Sequence, residues 1–96
     1  MEKVDCVETI ILYLSELNKI KKATMDAIKD CNMANAIDCV HKFNSGVGMV
    51  SASIITFHGV LDDAEIIKYH ATLNQIAKEF REETVKLAKK CRGFAE

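Results

Sequence analysis

His41 is followed four, seven and eleven residues later by Ser45, Gly48 and Ala52. On a helix those intervals bring one imidazole and three small side chains to the same side. An imidazole so placed can take up or release a proton or act as a nucleophile. The small residues behind it leave a shallow furrow that a partner backbone can approach. Two glycines, Gly46 and Gly48, lie in this helical pattern, and each costs about 1 kcal/mol relative to alanine, so the structure must gain something from them. Close approach is the expected gain.

Other chemistry-bearing residues are read more plainly. Cys6, Cys31, Cys39 and Cys91 fall inside or beside helical patterns, which suits reduced thiols more than disulfides. Cys31, Cys39, His41 and Cys91 would approach one end of an up-down-up bundle, yet their spacing matches no zinc motif, and no metal or other cofactor is expected. No glycine-rich phosphate loop with its lysine occurs, and the inward Glu-x-x-His pairs of di-iron bundles are missing from the sequence. Glu79, Glu82 and Glu83 read as a solvated face, with Glu82 and Lys86 an exposed ion pair one turn apart. His58, beside Gly59, is expected to bond terminal helix carbonyls, and His70 to sit quietly next to Tyr69. An enzyme is therefore not the favoured reading.

The elements that must carry these residues are helices. From Phe43 to Leu61, nineteen residues pass without Asp, Glu, Lys or Arg. The ladder Ala36, Val40, Phe43, Val47, Val50, Ile54, Phe57 and Leu61 keeps the three-and-four spacing of a packed helix seam. A helix of that length approaches the thickness of a bilayer, but Asn44, Ser45, Ser51, Ser53, Thr56 and His58 would each need a partner in lipid. A buried central helix is expected instead. With no proline in the chain, breaks are read from caps and glycine. Asn32 can cap the second helix after Asp30-Cys31. Asp62 with Glu65 makes a capping box for the third, which carries Ile66, Tyr69, Leu73, Ile76, Phe80, Thr84 and Leu87 inward and ends near Gly93 with Lys89, Lys90 and Arg92 at its negative end.

The first helix opens at Asp5, with Glu8 three residues on, and runs to about Lys29. Val7, Leu14 and Leu17 face the core, while Ile10, Ile11, Leu12 and Tyr13 make an apolar band that one neighbour cannot cover. Ile10, Leu12 and Tyr13 are accordingly assigned to an interface with a second copy. The fold class is all-α: one domain over residues 1–96, an antiparallel up-down-up bundle of three long helices, completed by self-association. Thirteen basic and fourteen acidic residues give a net charge of −1, which favours neither nucleic acid nor an anionic membrane. The start of the chain lacks a basic segment followed by an apolar one, so a cytoplasmic location is expected.

The string from His41 through Lys42, Phe43, Gly46, Gly48 and Met49 to Ala52 resembles the phosphorylated helix of histidine phosphotransfer domains. Asn44 and Ser45 depart from the lysine and glycine usual there. The resemblance implies that His41 accepts a phosphoryl group from a receiver-domain aspartate and returns it. Lys42, or Lys21 or Lys22 from the first helix, would then offset phosphate charge, with Ser45, Gly48 and Ala52 admitting the partner. The favoured reading is broader: a small non-catalytic protein-interaction module, an adaptor or regulator, with Lys42, Ser45, Gly48 and Ala52 as its contact residues. Phosphorelay through His41 is the alternative.

Overall fold

Asn32 and Asp62 decide where two of the helices begin. The Asn32 side chain accepts a hydrogen bond from the Asn35 backbone N–H at 3.2 Å, and Asp62 accepts one from the Glu65 N–H at 2.8 Å. The Glu65 carboxylate in turn accepts from the Asp62 N–H at 3.2 Å, which completes the box. In a computed structural model, which describes residues 2–91, these caps open α2 (Met33–Thr56) and α3 (Asp63–Lys90). α1 (Lys3–Lys29) starts two residues before the expected Asp5, with no side chain capping it. Asp5 takes a place in the first turn, where its charge complements the helix dipole. A 3₁₀ turn over Phe57–Gly59 joins α2 to α3. There is no strand among the described residues. Arg92 and Gly93 lie outside them.

The three helices run up, down and up. Leu17 against Gly46 and Phe43 against Phe80 set the antiparallel pairs, while ion pairs from Lys3 to Glu65 and from Lys21 to Glu83 show α1 and α3 running parallel. The product is a rod of 48 × 18 × 15 Å. Its core holds Cys6, Ile10, Leu14, Leu17, Phe43, Val50, Ile54, Leu61, Tyr69, Leu73 and Phe80. Every rung of the α2 ladder is buried or half-buried, as are the seven inward positions of α3. At mid-height the Phe43 and Phe80 rings stack, their centroids 3.7 Å apart and their planes 6° from parallel. Thr24, the one fully buried polar side chain among the described residues, donates to the Ile20 carbonyl at 2.8 Å, so its hydroxyl is satisfied within its own helix.

Several sequence expectations are corrected. Ile10 belongs to the core and is 0 % exposed, so it is not part of an outer band. The spacing of Cys6, Ile10, Leu14 and Leu17 is itself a helical seam, which accounts for the burial. Tyr13 is half-buried, because it lies over the α1–α2 groove with Gly46 and Met49; Ile11 and Leu12 do stand outward. Cys31 and Cys91 are bonded to each other, not reduced. Cys31 has φ of 53° in the turn after α1 and Cys91 ends α3, so the bond ties the α1–α2 turn to the end of the rod. Cys6 and Cys39 remain free and buried. The cysteine argument for a reducing compartment therefore falls away. No helix of the described residues is long and apolar enough to cross a membrane.

Candidate functional site

The side of α2 turned away from α1 is exposed, although it carries no charged residue from Phe43 to its end. Asn44, Ser45, Gly48, Ala52, Ile55 and Thr56 are all exposed. This differs from the expected buried central helix: two neighbours cover only the ladder side, so the uncharged run faces solvent. Charged residues are what usually keep such a face in water. Here they are missing where the geometry would put them.

The two glycines of this run serve different ends. A Cβ built on Gly46 would stand 2.7 Å from Cδ2 of Leu17, so glycine there lets α1 settle directly onto the α2 backbone. Gly48 lies some 200° further round the helix, and a Cβ there would meet nothing within 4 Å. Its cost in helix propensity, about 1 kcal/mol, is not offset by any contact inside the chain. Ser45 and Ala52 share its exposure, and His41 continues the same stripe one turn before Ser45.

Beside His41 the stripe meets an apolar groove of about 370 Å³ between α2 and α3, lined by Ile28, Ala36, Ile37, Val40, Thr84, Val85 and Ala88 as well as His41. The groove exists because α2 and α3 touch each other less than either touches α1. Ile37 and Val85 rise from its two edges with half their surface in solvent. The Thr84 hydroxyl donates back to the Phe80 carbonyl at 2.7 Å, so the lining presents few free polar groups.

The basic residues assigned to His41 are differently placed. Lys42 donates to the Asp38 carboxylate at 3.0 Å, one turn back on α2, and this hydrogen bond raises the pKa of its ammonium group. Lys21 is turned to α3, 3.0 Å from Glu83 and 3.8 Å from Glu79. Those carboxylates therefore serve α1, and the expected Glu82–Lys86 pair is not formed. The His58 ring lies with Nδ1 2.9 Å from the Ile55 carbonyl, at the helix end where it was expected. The bond between Cys31 and Cys91 also dissolves the one conceivable zinc cluster, and no group of three potential ligands gathers among the described residues. Of the residues singled out in the sequence, His41, Ser45, Gly48 and Ala52 come together on one open face, Lys42 flanks it in an ion pair, and Ile10, Leu12 and Tyr13 stand elsewhere. Ile37, Ile55, Ile67 and Val85 were missed; a count of large apolar residues off the core seam would have found them. Compared with protein-family models, with curated proteins and with solved structures, the chain matches none.

Proposed function

We propose that this protein is a small non-catalytic interaction module whose working surface is the α2–α3 face. One observation carries the reading: from Phe43 to its end α2 is uncharged along its solvent-exposed side and holds a glycine at position 48 that no contact in the chain explains. A helix laid across Ser45, Gly48 and Ala52 gains the close approach that small residues allow, while Ile37, Val85 and the adjoining groove supply apolar area. The test is a photo-reactive side chain placed at position 48, with a second at Lys22 on the charged side of α1 as control. Discrete cross-linked adducts from position 48 but not from position 22 support the reading. Adducts from neither, or equally from both, contradict it.

A second reading, phosphoryl relay, is favoured by one specific feature: His41 is exposed and open to a partner on the same face. In that scheme an imidazole nitrogen attacks the phosphorus of a receiver's aspartyl phosphate, the acyl P–O bond breaks, and the aspartate leaves as carboxylate. Lys42 would have to exchange Asp38 for the phosphoryl group. Phosphorylated receiver with Mg²⁺ should then label His41 with an acid-labile phosphoryl group, and His41→Gln should abolish labelling with helical content unchanged. Labelling that survives His41→Gln rules this reading out.

A further inference from the structure

Resting on the α2–α3 face as the working surface, we infer that its occupant is an acidic amphipathic helix, laid lengthwise in the groove with its carboxylates against α3. The two rims of the groove differ in charge, and that difference selects the occupant. Phe43 beside Phe80 sets the antiparallel register, which brings Ile37 opposite Val85 and Ser45 opposite Lys78. On the α2 rim Ile37, His41, Asn44 and Gly48 follow one another at four, three and four residues, and none is Asp, Glu, Lys or Arg. On the α3 rim Lys78, Arg81, Val85 and Lys89 are spaced three, four and four. All four are exposed, and none of the three cations forms an ion pair among the described residues.

The nearby acids do not neutralise this rim. Glu79 and Glu83 are drawn to Lys21 of α1, at 3.8 and 3.0 Å, and Asp38 is held by Lys42 at 3.0 Å. Glu82 stands on the outer flank of the strip, in a shallow depression that it shares with Arg81, Lys86, Lys89 and Lys90. It is outnumbered there. An approaching anion therefore meets a positive edge along α3 and a neutral edge along α2.

Between the rims the lining is apolar, with Val40, Ala36 and Ala88 recessed and Ile37 and Val85 half in solvent at its edges. A trough of about 370 Å³ takes one row of side chains, which is what the apolar stripe of a helix presents. Laid along the open α2–α3 seam, such a helix becomes the fourth member of the bundle. Lys78 and Lys89 are eleven residues apart, about 16 Å along α3, so carboxylates some three turns apart on one flank of the occupant reach both. Other occupants fit less well. A second copy would set Lys78 and Arg81 near the same cations of its partner, a nucleic acid would leave the apolar lining unused, and a flat anionic membrane would touch the rims without filling the trough.

The experiment titrates two helical peptides of about 16 residues into the intact, oxidised, isotope-labelled chain, followed by amide chemical shifts. One peptide carries leucines three and four residues apart with glutamates along one flank, and the other has lysines in place of those glutamates. The acidic peptide should bind about tenfold or more tightly than the basic one. It should shift amides between Ile37 and Gly48 and between Lys78 and Lys89, leave those around Ile11 unmoved, and weaken several-fold as salt rises from about 50 to about 300 mM. Lys78→Glu combined with Arg81→Glu should reverse the preference with helical content unchanged, a reversal that a folding defect would not produce. Equal binding of the two peptides, or no binding up to about 1 mM, overturns the acidic occupant; adducts from position 48 would then still uphold the face, and their absence would remove the face as well. A dimer of the chain alone closed over this face overturns the inference in favour of a second copy. Partition onto phosphatidylserine-containing vesicles without peptide binding overturns it in favour of a lipid surface.

Discussion

Removing the bond between Cys31 and Cys91 should cost this small domain a large part of its stability. The two residues are 60 positions apart, so the bond closes nearly two thirds of the chain into one loop. In the chain-entropy treatment a loop of that length limits the unfolded ensemble by about 4 kcal/mol at 25 °C. The folded state has little to lose by relaxation, because the bond joins a turn to a helix end and all three helices already pack against one another through the core. The clean perturbation is the double substitution Cys31→Ala and Cys91→Ala. Residue 31 keeps its φ of 53° whether it is cysteine or alanine, so backbone strain cancels and the cross-link is isolated. Urea unfolding followed by circular dichroism should show a loss of about 3 to 4 kcal/mol, with a steeper denaturant dependence because the unfolded chain expands. Adding a strong reductant to the parent should reproduce most of that loss. A double variant within about 1 kcal/mol of the parent would refute the reasoning, since the cross-link would then constrain nothing in the unfolded chain.

Two further outcomes follow from the site and the caps. Gly48→Ala should stabilise the monomer by about 1 kcal/mol, because the new methyl meets open space, while Gly46→Ala should destabilise it by about 1 to 2 kcal/mol, because Leu17 is nearly fully buried and cannot swing clear of a Cβ 2.7 Å away; thermal unfolding of the two variants checks the sign of each. The Asp62 carboxyl is held below its usual pKa chiefly by the hydrogen bond it accepts from the Glu65 backbone N–H. A group lowered on folding contributes stability that is complete above its unfolded pKa and is lost as pH falls through the folded value. Unfolding midpoints should therefore drop below the ordinary carboxylate range, and Asp62→Asn should flatten that part of the profile; an unchanged profile would remove the cap from the account.

Much of this fold is legible in the sequence because its signals are local. Asn32, Asp62 and Glu65 announce two helix starts through side-chain chemistry within four residues, and the ladder from Ala36 to Leu61 reports its buried side by spacing alone. What was not legible depends on which neighbours are present. Ile10 and Ile11 are adjacent and equally apolar, and the spacing with Cys6, Leu14 and Leu17 marks Ile10 for the seam only when Cys6 is counted as a core residue. Periodicity reports the core side of the uncharged run and says nothing of what covers the other. Three helices leave that side bare. The antiparallel α1–α2 pair alone would let Lys21 approach His41, but the parallel α1–α3 pair puts Glu79 and Glu83 nearer. The cysteine pairing joins positions 60 residues apart, and no pattern along the chain announces that two helix ends will meet. For the candidate site, the stripe of His41, Ser45, Gly48 and Ala52 was visible from helical spacing. Its apolar margins at Ile37, Ile55, Ile67 and Val85 are legible singly as large apolar residues off the core seam, but that they share one face follows only from the register between α2 and α3.

The central claim is that the uncharged side of α2, with the apolar groove beside it, is a contact surface for a partner protein. Photo-cross-linking from position 48, with position 22 on α1 as the control, tests it most directly. Discrete adducts from position 48 and none from position 22 are the predicted result. Adducts from neither position, or equally from both, would contradict the account.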